Sequence, residues 1–154
     1  MLDLTTIEID VESPRSDDAR VLVEKSDAAL AEHYTPDECF SATQEELLAP
    51  NVAFFVARMD GEPVGCVALV DQVYYGEVKR LFVDQAARGY GIASALMAAL
   101  EQAARDVGLR TVRLETGDAL AGAVAAYRNR GYQSRGAFGE YAENAVSRFF
   151  EKHL

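Results

Sequence analysis

Positive charge is scarce in the first half of this sequence. Residues 1–78 carry four basic side chains against 17 acidic ones, and the whole chain of 154 residues has a net charge of −10. Nucleic acid and anionic bilayers draw much of their affinity from clustered lysine and arginine, so neither is an expected partner. Cysteine is scarce as well. Cys39 and Cys66 are the only two. Their spacing resembles no metal motif, so inert thiols and no metal are expected. No apolar run approaches the ~20 residues of a membrane span. The opening "MLDLTTIEID" lacks the basic region and apolar core of a secretion signal, which leads us to expect a cytoplasmic protein. Internal repeats and low-complexity linkers are also missing. The length suits a single domain over residues 1–154.

What is present reads as alternating strands and helices. "TTIEIDV" is β-branched and alternates, predicting a strand over residues 5–11. Ser16 is placed to cap a helix carrying Ala19, Leu22, Val23 and Leu30 at helical spacing. A Thr35-Pro36 start signal and a stop at Pro50 bracket a second short helix over residues 43–48. "NVAFFVARMDGEPVGCVALVDQ" predicts a hairpin turning at Asp60-Gly61, and "YYGEVKRLFVD" adds a third antiparallel strand. Apolar residues then recur at 92, 96, 100, 103 and 107, and Gly108 ends that helix. "LRTVRLET" is a strand, and "DALAGAVAAYRNRG" is a helix with Asp118 as candidate cap. Two closing strands lie in "GYQSRG" and "AVSRFFEKHL". The expected class is α+β with a mixed sheet. Its one parallel pair comes from the strand–helix–strand unit over residues 77–116.

The only basic segment is residues 79–135, with nine basic and five acidic side chains. It contains "RLFVDQAARGYGIASALMAAL", in which Gly89 and Gly91 stand between a strand and a helix. A helix start presents unpaired amides and the positive end of the dipole, so this is an anion site by construction. Three phosphate ligands compete for it. A P-loop is excluded, because no Gly-Lys-Ser/Thr follows. A dinucleotide unit is a rival: Gly89-x-Gly91-x-x-Ser94 nearly matches its fingerprint, and Glu115 lies near the expected ribose acid. Against it, five residues (84–88) separate Val83 from Gly89, and the strand carries Glu77, Lys79 and Arg80.

The third candidate fits better. Arg88-x-x-Gly91-x-Ala93 resembles the Q/R-x-x-G-x-G/A pyrophosphate loop of the GNAT superfamily of acetyltransferases. "EVKRLFVDQAARGYGIASALM" looks like that superfamily's fourth strand and third helix, "AVAAYRNRGY" is similar to its tyrosine-bearing helix, and "FGEYAENAVSRFFEK" resembles the tail of one bacterial branch. The resemblance spans essentially the whole chain. It implies a mostly antiparallel sheet whose fourth and fifth strands splay apart, flanked by about four helices. It also implies an acetyl-CoA-dependent enzyme that acetylates a primary amine by direct attack in a ternary complex. Cofactor contacts would fall on Leu81, Phe82 and Val83 for the pantetheine arm. The pyrophosphate would fall on Arg88, Gly89, Tyr90, Gly91, Ile92, Ala93 and Ser94.

The chemistry needs a base for the amine and an acid for the leaving thiolate. The resemblance aligns Glu77 with the glutamate that acts as general base in the superfamily's histone-acetylating branch; Glu115, directly or through water, and a water chain alone are the alternatives. Tyr127 matches the helix tyrosine that reaches the CoA sulfur. His33 and Tyr34 lie in the segment that shapes the acceptor pocket in the superfamily, and Tyr141 and Asn144 lie in the loop that closes it. Leu120 stands where many members carry a cofactor-contacting asparagine. The implied partner is a small-molecule or peptide amine, and a homodimer is compatible with the resemblance. A non-catalytic acyl-CoA sensor and a nucleotide-binding oxidoreductase remain as alternatives.

Overall fold

The computed structural model describes residues 4–119 and 121–154. Strand β1 (Ile7–Val11) is followed by helix α1 (Asp17–Ala31), whose Ser16 cap accepts a hydrogen bond from the Ala19 amide at 3.1 Å. A 3₁₀ turn (Pro36–Glu38) and the short helix α2 (Gln44–Leu47) come next. Thr43 and Glu46 close a capping box over α2, satisfying two amides reciprocally. β2 (Val52–Met59) and β3 (Glu62–Asp71) form the expected hairpin. Asp60 and Gly61 both take positive φ, 51° and 85°, the conformation that matches strand twist in a two-residue turn. After β4 (Gly76–Val83) the chain enters α3 (Ile92–Asp106), β5 (Thr111–Gly117), α4 (Ala121–Asn129), β6 (Gln133–Arg135) and β7 (Ser147–His153). Asp118 sits three residues ahead of α4, and Leu120 lies outside the described residues.

The seven strands form one sheet in the order β1-β2-β3-β4-β5-β7-β6. Every pairing is antiparallel except β4–β5. A doubly wound parallel sheet, as the dinucleotide alternative requires, is therefore not formed. The parallel pair is short. Only Gly76, Glu77 and Val78 pair with Val112, Arg113 and Leu114, and beyond them β4 and β5 part. The cause is visible on the other edge of β4. Cys66 faces Phe82 and Ala68 faces Lys79, so Val67 alone stands opposite both Arg80 and Leu81. Such a bulge bends the strand and adds local twist. Arg80, at the bulge, has φ 58°.

Each face of the sheet carries its own core. Ile92, Leu96, Met97, Leu100 and Ala104 of α3, with Tyr127 of α4, pack on one side. Ala19, Leu22 and Val23 of α1 and Leu47 of α2 pack on the other, against Phe54, Val56, Cys66 and Ala68. The buried side of α3 differs from its expected stripe. Val107 is 63% exposed, while Glu101 is buried between Leu100 and Ala104. The buried stripe ends at Ala104, which is 0% exposed, Val107 lies at the C-cap beyond it, and a carboxylate takes an inward position.

Candidate active site

Two cavities flank the sheet, one beside α3 and α4 and one beside α1. On the α3–α4 side a cavity of about 420 Å³ is lined by Leu81, Ala93, Ser94, Met97, Ala126, Tyr127, Asn129, Arg130 and Lys152. Four residues singled out from the sequence, Leu81, Ala93, Ser94 and Tyr127, meet there although up to 46 positions apart. The Tyr127 ring is 6% exposed. It packs edge-on against Tyr132 and at a tilt against Phe150. Among the described residues its hydroxyl has no hydrogen-bond partner, and no buried side-chain oxygen is left unsatisfied, so the hydroxyl opens onto the cavity. Burial, helped by the charge of Glu115, holds this phenol well above its ordinary pKa, so it is protonated at neutral pH.

The loop leading into α3 is exposed at Arg88, Gly89, Tyr90 and Gly91. Gly89 and Gly91 have φ of 89° and 76°, the left-handed region that glycine enters without penalty. A Cβ built on either would meet nothing within 4 Å, so open space lies in front of both. Gly91 is the N-cap of α3 and offers no side chain to the first amides. Those of Ile92, Ala93 and Ser94 thus lack an intrahelical partner. The side chain of Ile92 itself is 2% exposed and belongs to the core. Phe82 and Val83 pair with Cys66 and Gly65 of β3, and their other edge faces the splay, where β5 forms no ladder with them.

The carboxylates divide sharply. Glu77 is 4% exposed with both oxygens engaged. Gln72 donates to Oε1 at 3.2 Å, Tyr141 donates to Oε2 at 2.6 Å, and the Lys79 ammonium lies 3.2 Å from Oε2. Lys79 also donates to the Tyr141 hydroxyl and to the Phe40 carbonyl. Burial and the bond to Glu77 drive the Tyr141 phenol far above its ordinary value. Glu115, at the end of β5, accepts from Ser147 at 2.6 Å on Oε2. Among the described residues its Oε1 takes no hydrogen bond. Burial raises the Glu115 pKa, partly offset by the Ser147 bond and Lys79 and reinforced by Glu77.

On the α1–α2 side a cavity of about 170 Å³ is lined by Asp27, Leu30, Ala31, Tyr34, Pro36, Cys39 and Ser41. Tyr34 is buried, and its hydroxyl accepts from the Ala119 amide at 2.7 Å just past β5. A Cβ at residue 117 would lie 2.0 Å from that hydroxyl, so glycine is required for the contact. His33 is exposed, stacks edge-on against Tyr34 and lines neither cavity. Asn144 is exposed, and its Oδ1 accepts from the amides of Val146 and Ser147, shaping the loop that delivers Ser147 to Glu115.

Sequence reasoning passed over Arg80, Glu101, Arg130 and Lys152. Glu101, 2% exposed, accepts from Arg130, Tyr132 and Lys152 at 2.9 Å each, and Arg130 also donates to Ser94. A charged residue on an apolar helix face was the available signal. Among the described residues no group of three His, Cys, Asp or Glu side chains could hold a metal, and no helix is long and apolar enough to cross a membrane.

The comparisons agree with this geometry. Residues 20–132 match the model of the acetyltransferase (GNAT) family. An IAA acetyltransferase of Azospirillum brasilense is 39% identical over 145 residues, covering 93% of this chain and 95% of that protein. A candidate acyl-CoA N-acyltransferase from Klebsiella pneumoniae superposes with a TM-score of 0.81 at 33% identity, covering 96% of this chain and 97% of the other. The PaiA N-acetyltransferase of Thermoplasma acidophilum, solved in complex with coenzyme A, shares the fold at a TM-score of 0.75 and 18% identity, over 97% and 99% of the two chains.

Proposed function

We propose, because this chain belongs to the acetyltransferase (GNAT) family, that it transfers an acetyl group from acetyl-CoA to a primary amine within a ternary complex. Membership makes it an acyltransferase; the amine and the residue roles are our reading. The observation that carries it is the Tyr127 hydroxyl, unpaired and facing the cavity that Leu81 and the start of α3 also line.

The residues present suit a CoA thioester. Amides of Ile92, Ala93 and Ser94, the open backbone at Gly89 and Gly91, and the Arg88 guanidinium would hold the pyrophosphate, with Tyr90 beside them. The unpaired edge of β4 at Leu81, Phe82 and Val83 would receive the pantetheine amides as an added strand. Bound there, acetyl-CoA supplies the acetyl group as a thioester. Tyr127 would donate its proton to the departing sulfur. Of the two carboxylates, Glu115 is the better base: it keeps an open oxygen, and its raised pKa brings it toward operating pH. Glu77, enclosed by Tyr141, Lys79 and Gln72, would serve to hold the Tyr141 loop over the site. The smaller cavity with Tyr34 would take the acceptor, a small molecule or peptide amine, with His33 outside it against the Tyr34 ring and Asn144 supporting the loop that carries Tyr141.

A turnover screen with acetyl-CoA against an amine panel, read as thiol release, tests the activity. Thermal unfolding tests the cofactor. At a hundred times the dissociation constant acetyl-CoA should stabilise the fold by about 2.7 kcal/mol, raising Tm by roughly 5–10 °C for a chain of this size. A shift with NAD and none with acetyl-CoA would overturn the reading.

A further inference from the structure

Arg80 is a strained residue with a buried charge. Its φ of 58° is in the left-handed region, which side chains other than glycine enter at a cost. Its side chain is 4% exposed. Nε donates to the Ala42 carbonyl at 2.8 Å, and NH1 donates to Ser26 at 3.3 Å and to Asp27 at 2.5 Å. Ser26 and Asp27 belong to α1, and Ala42 immediately precedes the α2 cap. One guanidinium therefore fixes both ends of the segment 26–42, and the smaller cavity is built from that segment. The bulge that turns Arg80 this way is also where β4 has left β5. A planar fork with several fixed donors can hold two chain segments at once, whereas an ammonium cannot match that geometry.

We propose that Arg80 is a positioning residue for the acceptor: from the β4 bulge it clips both walls of the smaller cavity to the strand, setting that cavity's shape while the cofactor side is left alone. The kinetic consequence rests on the acetyl-transfer reading; the geometric one does not. Cys39 lines the cavity and is half-buried. Cys66, the other cysteine, is 0% exposed, and burial pushes its thiol up to about 12. Cys39 thus reports on the cavity, and Cys66, whose thiol donates to the Arg80 carbonyl at 3.4 Å in the core beneath α1 and α2, reports on detachment of that whole layer.

Arg80→Lys keeps the charge but loses the fork. Arg80→Gly removes the side chain and relieves the backbone strain, so it guards against a variant that fails merely because its backbone is strained. Both are to be labelled under native conditions with an aromatic disulfide. Cys39 should react roughly threefold faster or more than in the wild type, while Cys66 stays silent, because the segment opens locally. With an amine that the wild type acetylates, the acceptor KM should rise roughly five- to tenfold, the size of one lost hydrogen bond. The acetyl-CoA KM and its thermal shift should hold. Wild-type labelling in both folded variants overturns the proposal, as does an equal rise in both Michaelis constants. If the wild type acetylates no amine, the acetyl-transfer reading fails and the labelling rate alone decides on Arg80.

Discussion

Tyr127→Phe removes one oxygen from a ring that packs against Tyr132 and Phe150. Because that oxygen has no protein partner, stability should change by less than about 0.5 kcal/mol. A proton given to the leaving thiolate is a transition-state interaction, so turnover should fall ~10²–10⁴-fold while acetyl-CoA affinity holds. Steady-state kinetics beside a separate binding measurement decide; wild-type turnover would end the acid role. Glu115→Gln tests the base. A folded-state pKa raised by burial leaves stability intact below the unfolded value and costs stability as pH rises through the folded value. The variant should therefore melt like the wild type in acid and somewhat higher at neutral pH. Its rate should lose the rising limb that ionisation of Glu115 gives the wild type, a limb displaced above the ordinary carboxylate range. At this scale the sequence was half legible. Tyr127 and the glycines could be picked out because a spaced motif surrounds them. The enclosure of Glu77 could not, since Tyr141 reaches it across 64 residues and only folding brings them together.

Several element boundaries came through, because caps and turns are local chemistry: Ser16, Asp60-Gly61 and Gly108 stand at the ends they announce, whereas Thr35-Pro36 opens a 3₁₀ turn rather than α2. The bulge in β4 did not, because a two-against-one register exists only between strands. Nor did the inward turn of Glu101, which ties α3 to the turn between α4 and β6 and to β7. Burial raises its pKa, but the bonds from Arg130, Lys152 and Tyr132 outweigh that and hold it below the usual range. Glu101→Gln should cost about 2–3 kcal/mol in urea unfolding at neutral pH, the low end for a broken buried pair because the two cations stay partly exposed. A depressed folded pKa contributes stability above the unfolded value and loses it as pH falls through the folded one. The gap between variant and wild type should therefore close on acidification, and a gap constant with pH would count against the ion pairs.

At the scale of the molecule, the α+β order and the single parallel pair were readable, whereas the extent of that pair was not. Seven residues join β5 to β7, but only three pairs join it to β4. The sheet is in effect two leaves, one of four strands and one of three, welded along a short stretch at one end. A thin weld is where a solid breathes. Deuterium should enter the gap-facing amides of 115–117 and of 79–83 well before those of β2 and β3. A cofactor lying along the opening would act as the missing rung, slowing exchange there while β1 keeps its free rate. The protein would then be stiffest while it holds its cosubstrate and loosest after releasing CoA, so that its own seam meters the exchange of one cofactor for the next.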